Sequence, residues 1–212
     1  MSAPRRLVVV SAGMSQPSST RLLADRLTEA TVAALTSRSV PVEVTVVELR
    51  EHAHDLTNML LTGFATPELQ RVLDATVAAD GIVAVTPVYS GSYTGLFKTF
   101  FDVIDDGALA GVPTLIAATA GTPRHSLALE HAVRPLLSYL RAVTVPTAVF
   151  GATEDFGATA GRAASDGTPP LAARVDRAAE ELAGLVAARE PRQVADPFAD
   201  PTPFDQLLRG DT

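Results

Sequence analysis

The sequence contains no cysteine and no tryptophan, and aromatic residues make up only 5% of it. Without cysteine there is no disulfide, no thiolate metal ligand, no iron–sulfur cluster and no thiol nucleophile. A chain without disulfides is what we expect in the cytoplasm. Long apolar runs are also missing, since none approaches the roughly 18 residues of a membrane-spanning helix. We therefore expect no membrane partner.

Positive charge is scarce as well. The chain has 17 Lys and Arg against 24 Asp and Glu, a formal net charge of −7, and no basic run. This balance argues against a nucleic-acid partner. Apolar residues, by contrast, make up 47% of the 212 residues. That content and length are typical of one globular domain with a sizeable core.

Short apolar runs alternate with amphipathic segments along most of the chain. Runs rich in Val, Ile and Ala predict five strands, at 7–10, 42–49, 81–85, 111–118 and 143–150. Apolar residues at three- and four-residue spacing predict helices at 20–35, 67–79, 95–105, 126–140 and 171–189, with a short helix near 56–61. Alternating strands and helices predict an α/β three-layer sandwich around a five-stranded parallel sheet. Right-handed crossovers favour the flavodoxin-like strand order 2-1-3-4-5.

The end of the chain has a different composition. Residues 190–212 are rich in Pro and Asp, yet they include Phe198, Phe204, Leu207 and Leu208. We therefore predict one domain over residues 1–189 and a tail over 190–212. The tail is either solvated or docked on its own or a neighbouring subunit.

Three loops of small and hydroxyl-bearing residues follow strands one, three and four, at 11–20, 86–95 and 119–125. Ligands of open α/β sheets bind at the carboxyl ends of the strands. The first loop enters a helix, where hydroxyls and free N–H groups suit an anion, although Ser18 or Ser19 could equally be a simple cap. This loop is neither a Walker A motif nor Gly-x-Gly-x-x-Gly. Together the loops predict a phosphate at the first and a flat ring between the other two.

The second and third loops resemble those of the NAD(P)H-dependent FMN reductases, in particular the reductases that serve two-component, flavin-dependent monooxygenases. The resemblance covers about residues 5 to 155. In the second loop it rests on Thr86-Pro-Val-Tyr89, Tyr93, Gly95, Lys98 and Asp102. In the third it rests on Ala118-Thr-Ala-Gly-Thr122, His125, Ala128, Ala132, Pro135, Leu136 and Leu137.

The resemblance implies a set of cofactor-binding residues. The FMN phosphate is expected at Ser11, Ser18, Ser19 and Thr20. The pyrimidine side of the ring is expected against Pro87, Val88, Tyr89, Ser90, Gly91 and Ser92, and its other edge against Thr119, Ala120, Gly121 and Thr122. Arg124 is either a ligand for the 2′-phosphate of NADPH or an ordinary solvated side chain.

The resemblance also implies an activity: hydride transfer from NADPH or NADH to N5 of FMN, with reduced FMN passed to a partner monooxygenase. Because the flavin carries the redox chemistry, we predict no catalytic side chain. Related proteins form homodimers or homotetramers. Three alternatives stay open: an FMN-retaining quinone or azo reductase, a flavodoxin-type electron carrier, which the scarcity of aromatic residues disfavours, and a flavin-free regulator on the same fold.

Three smaller features carry expectations. Pro135 lies inside a predicted helix and cannot donate to the carbonyl of His131, which predicts a kink or a π-bulge around residues 131–135. His52 and His54 form a His-x-His pair, for which we expect a surface loop and no metal site because no further ligand is evident. Tyr89 and Tyr93 either border the flavin ring or pack below it.

Overall fold

The computed structural model describes residues 3–157 and 167–193. Within these ranges one sheet contains β1 (Arg5–Ser11), β2 (Val42–Glu48), β3 (Gly81–Tyr89), β4 (Ser92–Tyr93), β5 (Pro113–Ala120), β6 (Val143–Thr144) and β7 (Val149–Ala152). The α-helices are α1 (Ser19–Ser37), α2 (Ala53–Thr62), α3 (Pro67–Val77), α4 (Gly95–Asp102), α5 (Arg134–Tyr139) and α6 (Leu171–Ala187). Short 3₁₀ turns span Leu49–His52, Pro123–His125 and Thr153–Phe156, and a π-helix spans Leu129–Val133.

The strands follow the order β2-β1-β3-β5, with β6 and β7 sharing the position beyond β5. These pairs are all parallel, and Val9 of β1 lies between Val46 of β2 and Val83 of β3. Five parallel positions in this order confirm the predicted flavodoxin-like arrangement.

The sheet is buried on both faces, which explains why its strands read as continuous apolar runs. Successive residues of β1 enter opposite halves of the core. Val8 packs in a cluster with Phe97 of α4, whereas Val9 packs with Leu23 of α1 and Leu182 of α6. Helices α1 and α6 therefore cover one face, and the other helices cover the opposite one.

The prediction that β3 ends at residue 85 and opens into a loop over 86–95 is wrong. Strand β3 continues to Tyr89, turns, and pairs antiparallel with β4, so that Val88 lies opposite Tyr93. Ser90 and Gly91 form the turn with φ of 51° and 82°, and two such left-handed residues are what a type I′ hairpin turn requires.

The Thr86-Pro87 pair lies inside β3 and does not end it, because the hydrogen bonds around it allow a proline at this position. Pro87 lies near the end of the ladder, opposite Thr119 of β5. The backbone N–H of Thr94 donates to Oγ1 of Thr86 at 3.2 Å. This bond ties the return of the hairpin to the strand from which it leaves.

The predicted fifth strand, 143–150, is divided into β6 and β7. Pro146 lies in the gap and has no N–H to donate to the ladder. The guanidinium of Arg134 binds acceptors beside the gap, with Nη1 donating to Oγ1 of Thr144 at 2.8 Å and to the carbonyl of Val145 at 3.0 Å. An arginine from the neighbouring helix thus fixes the chain where the ladder is interrupted.

The predicted helix over 126–140 is divided as well. The π-helix comes first, and the N–H of Arg134 donates to the carbonyl of Leu129, five residues back. Regular α5 then begins with Pro135 in its first turn. The π-helix confirms the irregular geometry predicted around residues 131–135. Pro135 fits in the first turn of α5 because the N–H groups there have no acceptor within the helix.

Other boundaries differ less. Helix α4 ends at Asp102 rather than at 105, and the short helix expected near 56–61 spans Ala53–Thr62. His54 lies in this helix and His52 ends the preceding 3₁₀ turn, so the expectation of a loop for this pair is wrong. No group of three or more metal-ligating side chains occurs among the described residues. None of the described helices is long and apolar enough to cross a membrane.

The first residues of the predicted tail contact the domain. The Arg192 guanidinium donates from Nη2 to the carbonyl of Ala108 at 2.6 Å and from Nη1 to that of Ala110 at 3.0 Å, and the Arg192 N–H donates to Asp80. Residues 194–212, with all four apolar side chains named above, lie outside the described residues. Docking of that part stays a prediction.

Candidate functional site

The first loop connects β1 to α1 and ends in a helix cap. Ser18 has extended backbone geometry, and its Oγ accepts a hydrogen bond from the N–H of Arg21 at 3.2 Å. This makes Ser18 the N-cap of α1. A capping hydroxyl accepts through oxygen and keeps its own hydrogen to donate, so the cap and the phosphate interpretations are compatible.

Gly13 gives this loop its shape. A Cβ at residue 13 would lie 2.2 Å from Oγ of Ser18 and 3.3 Å from Cβ of Thr20. Only a residue without a side chain lets the loop pass so close to the cap of α1. Ser11, the first predicted phosphate ligand, is 1% exposed at the end of β1, below the loop.

A pair of buried hydroxyls joins the first loop to the third. Oγ1 of Thr20 and Oγ1 of Thr119 are 2.7 Å apart, and both residues are almost fully buried. One hydroxyl donates to the other, and either can be the donor. The pair fixes the start of α1 against the end of β5.

The hairpin separates its two tyrosines. The ring of Tyr93 packs toward the core, with its centroid 5.9 Å from that of Phe97. Tyr89 is 55% exposed and borders the cavity described below. Tyr93 therefore packs in the core and Tyr89 lies at the edge of the cavity, and a contact of Tyr89 with the flavin ring stays a prediction.

The third loop begins at Thr119 and passes into a 3₁₀ turn. Thr122 caps this turn, with Oγ1 accepting from the N–H of Arg124 at 3.4 Å. The 3₁₀ turn leads on to the π-helix, whereas we expected a regular helix from residue 126. Arg124 is exposed on this turn.

All three loops meet around one cavity of about 210 Å³ at the carboxyl edge of the sheet. It is lined by Met14, Ser15, Ser18, Ser19, Thr20, Pro87, Val88, Tyr89, Thr119, Ala120, Gly121 and Thr153. Nine of these twelve were predicted. Among the described residues, the lining contains hydroxyls, backbone and apolar groups and no charged side chain.

Some predicted residues do not line this cavity: Ser11, Ser90, Gly91, Ser92, Thr122 and Arg124. The hairpin turn carries Ser90 and Gly91 away from its floor. Met14, Ser15 and Thr153 line the cavity and were missed. Thr153 directly follows β7, so the rule that pointed to the other loops, applied to the fifth strand position, would have found it.

Charged groups lie around the site rather than inside it. Arg21 in the first turns of α1 donates from Nε to Oδ1 of Asp25 at 2.7 Å. This hydrogen bond, together with the charges of Asp25 and Glu48, raises the pKa of the Arg21 guanidinium. Beside the third loop, the Arg134 guanidinium hydrogen bonds to Glu130 at 2.6 and 2.9 Å and lowers the pKa of that carboxyl.

The cavity suits a ligand such as FMN. Hydroxyls and the free N–H groups of the first turn of α1 are donors for a phosphate. Pro87–Tyr89 and Thr119–Gly121 line the part of the cavity that is available to a heterocycle, and none of these residues is charged. Because Gly13 has no Cβ, the first loop lies close to Ser18, and the hydroxyl donors stay near one another.

Comparison with known proteins agrees with this geometry. Residues 5–157 match the model of the family described as NADPH-dependent FMN reductase. The chain is 42% identical over 189 residues to an FMN reductase (NADPH) of Pseudomonas aeruginosa, covering 89% of this chain and 96% of that one. It is 40% identical over 185 residues to the NADH-dependent FMN reductase SfnF of Pseudomonas fluorescens, covering 87% and 94%.

Solved structures give the same result. An oxidoreductase from Corynebacterium diphtheriae superposes with a TM-score of 0.82 at 50% identity, covering 89% of this chain and all of that one. The apo form of the NADH:FMN oxidoreductase EMOB superposes with a TM-score of 0.69 at 29% identity, covering 84% and 88%. The family model, the relatives and the fold agree, and the chain belongs to the NADPH-dependent FMN reductase family.

Proposed function

We propose that this protein is an NAD(P)H:FMN oxidoreductase whose active site is the cavity between the three loops. The observation that carries the proposal is the convergence of hydroxyl donors from one loop and an uncharged wall from two others on a single cavity. FMN held by these residues would supply N5 as the acceptor of the nicotinamide hydride. The residues of the chain have to bind the flavin, orient it and leave one face accessible.

Each side of the cavity has a distinct task in this proposal. Ser15, Ser18, Ser19 and Thr20 hold the phosphate together with the N-terminus of α1, while Thr119 supports Thr20 from below. The ring lies between Pro87–Tyr89 and the backbone of Ala120–Gly121. Small residues on this wall leave space for a nicotinamide to stack on the ring.

We assign no acid or base, because hydride transfer between the two cofactors needs none from the protein. Arg124 stays a candidate for the 2′-phosphate of NADPH. Its exposed position on the 3₁₀ turn lets the guanidinium reach a ligand that extends out of the cavity. A preference for NADPH that disappears in Arg124→Met would support this role, and an unchanged ratio of NADPH to NADH turnover would exclude it.

We further propose that reduced FMN leaves for a partner monooxygenase and that the protein works as a homodimer or homotetramer. In the described part of the chain, the cavity lies at the surface and one aromatic side chain lines it, the half-exposed Tyr89. A site that these residues cover so little suits a flavin that comes and goes. An FMN-retaining quinone or azo reductase is the alternative outcome of the test.

The test follows the oxidation of NADPH and NADH with and without added FMN, before and after dialysis. Saturation with added FMN and loss of flavin on dialysis support the delivery role. Retained FMN with quinone-dependent turnover supports the alternative. Absence of NAD(P)H oxidation under every flavin condition refutes both.

A variant pair locates the phosphate. Ser18→Ala/Thr20→Ala removes two donors to the phosphate and should weaken FMN binding at least about a hundredfold, since a hydrogen bond to a charged group contributes about 1.5–3 kcal/mol. Thr28→Ala/Ser37→Ala is the matched control, because these hydroxyls bind carbonyls of α1 away from the cavity. Equal affinity in the two double variants would place the phosphate elsewhere.

A further inference from the structure

A row of polar contacts runs from the tip of the first loop to the end of β2. The side-chain oxygen of Gln16, with the amide oriented by its partners, accepts hydrogen bonds from both terminal nitrogens of Arg50, with Nη1 at 2.6 Å. Nε of the same guanidinium donates to Oε2 of Glu48 at 2.9 Å. Arg50 therefore spans from the loop to the sheet with all three of its nitrogens engaged.

The row continues from Glu48 to helix α1. Oε1 of Glu48 accepts from Nη1 of Arg21, and Nε of Arg21 donates to Asp25. Glu48 is thus shared by two guanidiniums, one that holds the tip of the loop and one on the first turns of the helix. The two ends of the hydroxyl-bearing segment are braced to the same carboxylate.

The tip of the loop has few other attachments. Residues 14–17 are exposed. Besides the Gln16–Arg50 pair, the polar contact that the structure describes for these residues lies within the loop, from Oγ of Ser15 to the carbonyl of Pro17 at 3.0 Å. In the described part of the chain, Arg50 is therefore the side chain from outside the loop that fixes its tip. Ser15, which lines the cavity, is the immediate neighbour of Gln16.

We propose that Arg50 is a positioning residue for the flavin phosphate and that it acts through Gln16. This inference rests on the proposed function of the first loop. Arg50 does not line the cavity, and the carboxylates of Glu48 and Asp25 together offset the charges of Arg50 and Arg21. Its effect on the phosphate is therefore geometric: it holds the loop in the conformation that presents Ser15, Ser18 and Ser19 together.

The test compares FMN with riboflavin, which has the same ring and no phosphate. Dissociation constants are measured by quenching of flavin fluorescence for the wild type, Arg50→Met, Gln16→Met and the double variant. Either single variant should raise the dissociation constant for FMN about tenfold, a typical loss for one hydrogen bond to a charged group. The double variant should be no weaker than either single one, because both break the same link. Riboflavin binding should change less than about twofold.

Arg71→Met is the matched control. It removes an arginine from an exposed ion pair with Glu68 on α3 and should leave both dissociation constants unchanged. Arg50→Lys keeps the charge but loses the planar fork, and we expect it to bind FMN as weakly as Arg50→Met. Thermal unfolding of each variant shows whether the domain is intact.

Three results would overturn the inference. Unchanged FMN affinity in both single variants removes the positioning role. Additive losses of FMN affinity in the double variant would show that Arg50 acts without Gln16. A dissociation constant for FMN in Arg50→Lys equal to that of the wild type would show that the positive charge is sufficient. If the wild type itself binds riboflavin as tightly as FMN, the phosphate site of the proposed function fails instead.

Discussion

Gly13→Ala should disturb the first loop most, because the loop passes so close to Ser18 at this residue. An alanine there places a Cβ 2.2 Å from Oγ of Ser18, about 1 Å closer than non-bonded carbon and oxygen atoms approach. Gly13 has no left-handed backbone to explain its presence, so space is the reason. The Ser18 hydroxyl has to swing away from the new methyl group, and it then loses the N–H of Arg21.

The cost follows from that lost cap. Removing an N-cap hydrogen bond destabilises a protein by about 0.5–2 kcal/mol, and any displacement of the loop adds to it. We expect Gly13→Ala to lower the free energy of unfolding by about 1–2 kcal/mol. The same change should weaken FMN binding, because Ser18 no longer presents its hydroxyl to the cavity.

Urea unfolding without FMN measures the change in stability. Two further variants show whether the contact with Ser18 causes it. Ser18→Ala removes the oxygen that causes the clash and leaves Cβ of that residue 3.2 Å from the new methyl group. Gly13→Ala should then cost much less in the Ser18→Ala background than in the wild type. In Gly184→Ala the new Cβ meets nothing within 4 Å, and this helical position should gain about 0.5–1 kcal/mol. An equal cost of Gly13→Ala in both backgrounds would refute the reasoning.

Two further predictions concern the third loop and the π-helix. Thr119→Val leaves the Thr20 hydroxyl buried without its partner and should lower the free energy of unfolding by about 1–3 kcal/mol. Adding Thr20→Val should recover part of that loss. A double variant that is as unstable as Thr119→Val, or less stable, in urea unfolding would contradict this. The pKa of Glu130 is lowered by Arg134, so this pair contributes stability above the unfolded carboxyl pKa of about 4.3, and the contribution is lost as pH falls through the lower folded value. The stability difference between the wild type and Arg134→Met, measured by urea unfolding at neutral pH and near pH 3, should therefore shrink in acid, and a constant difference would exclude the pair as its cause.

The parallel sheet was predictable because burial on both faces leaves a strong signal, and right-handed crossovers then favour the observed order of strands. Runs such as 7–10 and 81–85 have no polar face, and an amphipathic helix follows each of them. This combination is typical of central strands in a parallel sheet. The irregular segment before Pro135 was predictable for a similar reason, since a missing N–H has a defined effect on the helix.

The hairpin at the site was not predictable from the same kind of signal. Thr86-Pro87 has the local pattern of a strand end, and the extension of β3 depends on a turn at Ser90 and Gly91 and on a bond between Thr86 and Thr94. These residues come into contact only when the hairpin has formed, so no local sequence pattern indicates the contacts. Sequence patterns also gave no sign of the Gln16–Arg50 link, because it depends on which side chains β2 brings beside the loop.

The positions of the site residues show the same division. The loops that carry Ser18, Thr20, Pro87 and Thr119 were predictable because each follows a strand at the carboxyl edge, whereas the individual residues came from the resemblance to the FMN reductases. The hydroxyl pair of Thr20 and Thr119 was not predictable, because it requires the exact approach of α1 to β5.

A crystal structure of the protein with FMN would show whether the cavity at the carboxyl edge of the sheet holds the flavin. We expect density for the phosphate at Ser18, Ser19 and Thr20 and density for the ring between Tyr89 and Gly121. Flavin density at another face of the domain, or a phosphate that makes no contact with the first loop, would contradict this expectation.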